Sequence, residues 1–273
     1  PTRQPGAARG PLISEAALFE KIGALGGPQT HGAAPIAHPA ACLSSACASQ
    51  LACYKADRLI ERKVGSIAHA EDHETLLLVD GCELVVYCET RRCELRRFDA
   101  GLGELTCCLQ LRGLDHLCVC SIHHGALLIF SVGAGRAVAC ISAHEGGVVG
   151  LSSSEDGSRL VSAGLDGSIK LWGVSATGLV DTPLHAFRCG AGPLTSVHLS
   201  SSCHFAAAGC RDGSVLAVNV PLTRSAGGEP LRWELGHGAI RSVAIVEGAR
   251  YVLACSSDGG VYAAALSDGG LSR

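Results

Sequence analysis

Several groups of residues in this chain have the types and spacings from which chemistry could be built. His144 precedes Asp166 by 22 residues, and an imidazole held by a carboxylate is the core of an acid–base pair. His116-Leu117-Cys118-Val119-Cys120-Ser121-Ile122-His123-His124 gathers thiols and imidazoles, the ligands zinc takes. Arg91-Arg92-Cys93-Glu94-Leu95-Arg96-Arg97 is a dense basic stretch suited to an acidic partner or an anionic lipid surface. Gly101-Leu102-Gly103 and Gly133-Ala134-Gly135 are the glycine clusters nearest in kind to phosphate loops. Neither completes G-x-G-x-x-G or opens a helix. Ser152-Ser153-Ser154 and Ser200-Ser201-Ser202 lack the G-x-S-x-G frame of a strained nucleophile. The zinc reading fails on spacing, because a single residue separates Cys118 from Cys120 and His123 and His124 are adjacent.

The elements that must position these residues are strands. Asp-Gly recurs at Asp166-Gly167, Asp212-Gly213 and Asp258-Gly259, 46 residues apart each time. Asp80-Gly81 and His124-Gly125 extend the series, so Gly81, Gly125, Gly167, Gly213 and Gly259 mark hairpin turns at steps of 44, 42, 46 and 46. A tight hairpin needs a residue that tolerates positive φ, and these pairs supply it. The flanking runs are rich in Val, Ile and Leu, as half-buried strands should be. Leu160 to Gly164 is expected to pair with Ile169 to Trp172, Phe205 to Gly209 with Val215 to Val218, and Tyr251 to Cys255 with Val261 to Ala265. A repeat of this length is one four-stranded β-propeller blade.

The third unit carries the most specific pattern: His144, then Ser162 four residues before Asp166 and Trp172 six after it. These types at these distances resemble the WD-repeat family, in which His, Ser/Thr, Asp and Trp form a hydrogen-bonded network inside a blade. The resemblance implies a structural role for His144, Ser162, Asp166 and Trp172, satisfying polar groups that would be costly to bury unpaired. Unit five has Ala254 and Ala264 where Ser and Trp would stand, and unit four has Gly190 at the His position. The resemblance covers residues 66–268 and implies an all-β fold of five visible blades, part of a seven-bladed ring.

Composition sets further bounds. The chain has 273 residues, 47% hydrophobic and 4% aromatic, with 35 glycines, a balance that suits a turn-dense all-β fold. Net charge is −3, so nothing draws the whole molecule to nucleic acid. The longest apolar region, residues 126–141, is short and interrupted by glycines and Arg136. No secretory signal is visible at the start. Fifteen cysteines form no C-x-x-C. Most fall in expected strands (Cys88, Cys118, Cys120, Cys140, Cys210, Cys255), where a free thiol acts as a small buried hydrophobe, so reduced cysteines and a cytoplasmic location are expected. Methionine is absent, from which a piece of a longer product is expected.

Residues 1–10 are expected to be disordered, and Ile13 to Leu25 to form a short helix capped by Ser14. Ile22-Gly23-Ala24-Leu25-Gly26-Gly27-Pro28-Gln29, followed by Ala37-His38-Pro39, is similar to the end of a BEACH domain, Ile-x-x-Phe-Gly-Gln-x-Pro and then Pro-His-Pro. Leu25, Gly27 and Ala37 depart from that motif and one residue is inserted. BEACH domains are often followed by WD repeats, so residues 1–40 are read as a disordered start plus the end of a BEACH domain. Residues 41–65 are a linker or first outer strand, 66–268 the blades and 269–273 a tail. The resemblance implies two further blades after residue 273.

The expected function is a non-enzymatic scaffold that contacts other proteins through propeller loops, in membrane trafficking or receptor-linked lipid signalling. The alternative is a stand-alone WD-repeat adaptor of another complex, such as a ubiquitin-ligase substrate receptor. No cofactor, metal, nucleic acid or small-molecule substrate is expected. On a regular strand Arg92, Glu94 and Arg96 would project to one side, and Arg91, Cys93, Leu95 and Arg97 to the other. The ordinary reading is a solvated outer strand. The functional one is an acidic-partner or lipid patch of Arg91, Arg92, Arg96 and Arg97, with peripheral contact to anionic membrane.

Overall fold

The computed structural model describes residues 66–69, 75–101, 103–114, 117–175, 178–190, 192–221, 230–235, 238–246 and 251–266. The expected helix over Ile13 to Leu25, the BEACH-like motif and the tail lie outside the described residues. Within them every regular element is a β-strand, and all pairing is antiparallel.

The strands form five sheets in chain order. The first holds β1 (Ser66–His69), β2 (Thr75–Asp80), β3 (Glu83–Cys88) and β4 (Cys93–Asp99). The second holds β5 (Leu105–Gln110), β6 (Leu117–Ile122), β7 (Ala126–Ser131) and β8 (Arg136–Ser142). In the third, β9 (Val148–Ser153), β10 (Arg159–Gly164) and β11 (Ser168–Ser175) are followed by the two-residue β12 (Gly178–Leu179) and by β13 (His185–Arg188), which both pair with β11. The fourth holds β14 (Leu194–Leu199), β15 (Phe205–Cys210), β16 (Ser214–Asn219) and β17 (Leu231–Glu234). The fifth has three described strands, β18 (Ile240–Val246), β19 (Tyr251–Ser256) and β20 (Val261–Ala265). The three hairpins expected from sequence pair in the registers Leu160 with Trp172, Ala206 with Val218 and Tyr251 with Ala265.

The first strands pack side by side, β1 on β5, β5 on β9, β9 on β14 and β14 on β18, so the sheets fan out from a common axis. Hydrophobic cores fill the spaces between consecutive sheets. Val79, Val86, Cys120 and Phe130 lie between the first and second; Val119, Leu127, Leu160 and Trp172 between the second and third. Val161, Leu171, Leu194 and Leu216 lie between the third and fourth, and Val215, Trp233, Ile240 and Val252 between the fourth and fifth. This explains why a middle strand such as β6 is buried on both faces, Cys118 and Cys120 against the first sheet and Leu117 and Val119 against the third. The second, third and fourth sheets are layers covered on two sides.

Two features repeat more faithfully in space than in sequence. The five turn glycines all have positive φ, from 65° at Gly81 to 89° at Gly259. At Gly125 a Cβ would also collide with the carbonyl oxygens of His144 and Gly146, so only glycine fits. In addition, the innermost strand of four sheets carries one extra residue at its second position: Thr106, Val149, Thr195 and Arg241. Such a bulge raises local twist and bends the strand end.

Candidate functional site

The polar residues singled out in the third sheet come together, His144, Ser162 and Trp172 buried at the junction of the second and third sheets and Asp166 above them in the exposed β10–β11 turn. His144, in the connection from β8 to β9, is 5% exposed, and Ser162 on β10 and Trp172 on β11 are both at 0%. His144 Nδ1 lies 3.1 Å from both oxygens of Asp166 and Nε2 lies 2.8 Å from Ser162 Oγ. Trp172 Nε1 donates to the same Ser162 oxygen at 2.9 Å. One tautomer satisfies all of them: Nδ1–H donates to the carboxylate, and the Ser162 hydroxyl donates to Nε2 while accepting from the indole. Asp166 also accepts the Ser168 amide at 3.0 Å, the Ser168 hydroxyl at 2.8 Å and the Glu145 amide at 3.0 Å. Gly164 makes room, since a Cβ there would run into the His144 ring and Asp166 Oδ1.

The electrostatics match a closed structure. Burial pushes the His144 pKa below its ordinary value and so favours the neutral ring, against the pull of Asp166 towards the charged one. Burial would raise Asp166, but the Ser168 hydroxyl and amide, then His144 and the Glu145 amide, outweigh it and keep the carboxylate ionised. An acid–base pair needs a proton to give to something outside. Here each donor and acceptor is consumed within the blade, so the arrangement holds strands together. Among the described residues we find no catalytic constellation.

The other turn aspartates are satisfied by different neighbours. Asp212 accepts the Ser214 hydroxyl at 2.6 Å, the Ser214 amide at 3.0 Å and Arg232 of β17 at 2.6 Å. Asp80 pairs with Arg97 of β4 at 3.0 Å, and Asp258 accepts the Gly260 amide at 2.8 Å. The roles of Ser168 and Ser214 were not anticipated, although each follows an Asp-Gly pair in the sequence, a signal that could have found them. Arg232 carries no such signal, because the connection from β16 to β17 leaves its register open.

The basic stretch differs from the regular strand expected. Val86 pairs with Arg96 and Tyr87 with Glu94, so Leu95 is an extra residue on β4 and the two-sided alternation breaks there. Glu94 and Arg97 therefore meet, with Arg97 Nη2 2.9 Å from Glu94 Oε2. Arg97 also binds Asp80 and Glu83, at 3.0 and 2.5 Å. Arg96 donates to the Val132 and Gly133 carbonyls on the second sheet, at 3.3 and 3.2 Å. Arg91 and Arg92, in the β3–β4 turn, are exposed.

The thiols and imidazoles of the second sheet part company. Cys118 and Cys120 are buried in the core against the first sheet, whereas His123 and His124 are exposed in the turn, their rings 5.9 Å apart. Among the described residues no group of three or more His, Cys, Asp or Glu could hold a metal ion. Two cysteines depart from the expectation of burial: Cys140, on the outer strand β8, is exposed, and Cys255 is half-buried on the fifth sheet, beyond which no described sheet packs. Ser154 and Ser200 play matching turn roles, each hydroxyl accepting a backbone amide five residues on, from Arg159 and Phe205, at 3.0 Å. Trp233 is 1% exposed, and its Nε1 has no hydrogen-bond partner.

Residues 135–173 match the family described as WD domain, G-beta repeat. The matched stretch contains all four members of the polar network. With the radial antiparallel sheets it defines the fold as a WD-repeat β-propeller, the class whose blades serve as protein-interaction surfaces. No curated protein matches the chain.

Proposed function

We propose that this chain is a non-enzymatic scaffold whose blade loops hold protein partners, and that it belongs to a BEACH–WD-repeat protein of the cytoplasm acting in membrane trafficking or receptor-linked lipid signalling. The observation that carries the scaffold reading is the self-contained network at His144: the residues best suited to acid–base work are spent on the blade. The rim bearing the turns remains for partners. There Leu165 is 42% exposed beside His123 of the neighbouring sheet, across Gly147. Leu165 and His123 together mark an accessible point on that rim, where two sheets meet.

The test replaces Leu165 and His123 with Glu and compares quantitative affinity purification with the parent chain, at matched melting temperature. Partners that the parent retains and the variant loses support the rim. An identical partner set would overturn it. The BEACH assignment rests on Ile22 to Gln29 and Ala37 to Pro39 standing ahead of the blades. Sequencing the transcript upstream tests it, since a BEACH domain needs about 250 further residues, and unrelated sequence there would end it. Contact with anionic membrane rests on Arg91 and Arg92. Their replacement by Ala should reduce binding to phosphatidylserine vesicles, and unchanged binding would exclude that contact.

A further inference from the structure

Cys88 is the last residue of β3 and Cys93 the first of β4, and the two are directly opposed across the hairpin. Opposed residues of an antiparallel ladder share a face, with Cα atoms about 4.5–5.5 Å apart. A disulfide spans Cα separations of about 4.4–6.8 Å, so an opposed pair lies within its reach. Cys108 and Cys120 are also opposed, but both are buried, at 5% and 1% exposure. Cys93 is exposed.

We propose that Cys88 and Cys93 form a reversible dithiol–disulfide pair, closed by an oxidant of the hydroperoxide class, that locks the turn presenting Arg91 and Arg92. The hydroperoxide transfers its terminal oxygen to the exposed Cys93 thiolate; an S–O bond forms, the O–O bond breaks, and the remainder leaves as alcohol or, from hydrogen peroxide, as water. The Cys88 thiolate then attacks the Cys93 sulfenic sulfur, forming S–S and expelling hydroxide, which is protonated to water. The two electrons lost by the dithiol reduce the peroxide, and a thiol reductant reverses the change.

The turn supports the attacking group. Thr90 Oγ1 lies 3.2 Å from Cys88 Sγ. Its hydroxyl, then the Arg91 amide, hold the Cys88 thiol below its ordinary pKa, with the Arg91 charge adding to them. The closed ring would enclose Glu89, Thr90, Arg91 and Arg92, the last already at φ 49°.

The test uses the full chain carrying Cys82→Ser, because Cys82 and Cys88 share one tryptic peptide. After hydrogen peroxide and alkylation, trypsin should release residues 64–91 joined to residues 93–96, two hydrogen atoms lighter than their sum and separated by dithiothreitol. This pair should oxidise several-fold faster than the exposed Cys140. Adding Cys88→Ser should leave Cys93 as a sulfenic acid trapped by dimedone. Thr90→Val should slow closure several-fold while Cys93 alkylates at an unchanged rate. Oxidation of Cys140 at an equal rate without the linked peptide would overturn the proposal, as would Cys93 joined to another cysteine. So would failure of Cys93 to trap dimedone in a Cys88→Ser variant that melts normally.

Discussion

At the scale of single residues, the two tryptophans make the sharpest contrast. Both are fully buried between sheets, but Trp172 Nε1 donates to Ser162 whereas Trp233 Nε1 has no partner. Replacement by Phe removes similar apolar area from each site. At Trp172 it also strips a donor from a buried network, which adds about 1–2 kcal/mol; at Trp233 it removes an unpaired polar atom and gains some of that back. Urea unfolding of the two variants should therefore rank Trp172→Phe as clearly the less stable. The same network makes stability depend on pH. His144 is depressed below its ordinary 6.5 in the fold, so the unfolded chain binds the proton more readily. Stability is then complete above about 6.5 and falls as pH drops below it through the folded value. Asp166, also depressed, contributes stability that is present above its ordinary 3.8 and is lost as pH falls through its lower folded value. Midpoints of urea unfolding between pH 7 and 5 should decline in the parent chain and decline less in His144→Gln, in which the titrating group is gone.

At the scale of the element, turns and bulges decide tolerance. Gly81 and Gly125 occupy equivalent turns, with φ of 65° and 84°. A methyl group at Gly81 meets nothing within 4 Å, while at Gly125 it strikes two carbonyl oxygens. Gly81→Ala should cost about 1 kcal/mol of left-handed strain. Gly125→Ala should cost about 2–4 kcal/mol, because backbone must move as well. Thermal melts of the two variants read the difference. The hairpins were legible because apolar runs and Asp-Gly turns are local signals, and the pairing of Leu160 with Trp172 needs nothing beyond them. The network at His144 was legible because four residue types at fixed distances have few other uses. The ion cluster on Arg97 was not. It depends on the extra residue Leu95, and a strand that looks regular in sequence hides a bulge imposed by its partner. The Arg232–Asp212 pair was hidden for a related reason, since sequence separation across a variable connection does not set register. Arg97→Met, which leaves Asp80, Glu83 and Glu94 without their shared cation, should cost about 1–3 kcal/mol in urea unfolding.

At the scale of the whole molecule, each sheet packs on the next: first on second, second on third, third on fourth, fourth on fifth. No packing of comparable extent joins β18 to β1 among the described residues. A closed ring offers two routes by which any two sheets can steady one another. A row offers one. In a row, folding energy is close to a sum of sheet and neighbour terms, and one weakened junction divides the sum. Trp172→Ala hollows the junction between the second and third sheets. It should turn a single calorimetric transition into two, the first two sheets melting apart from the last three, with hydrogen exchange protection falling on one side before the other. If the single transition persists at a lower temperature, cooperativity has a second path around the break. The buried indole thus serves as a coupling in a relay, and its removal asks whether the molecule behaves as a line or as a circle.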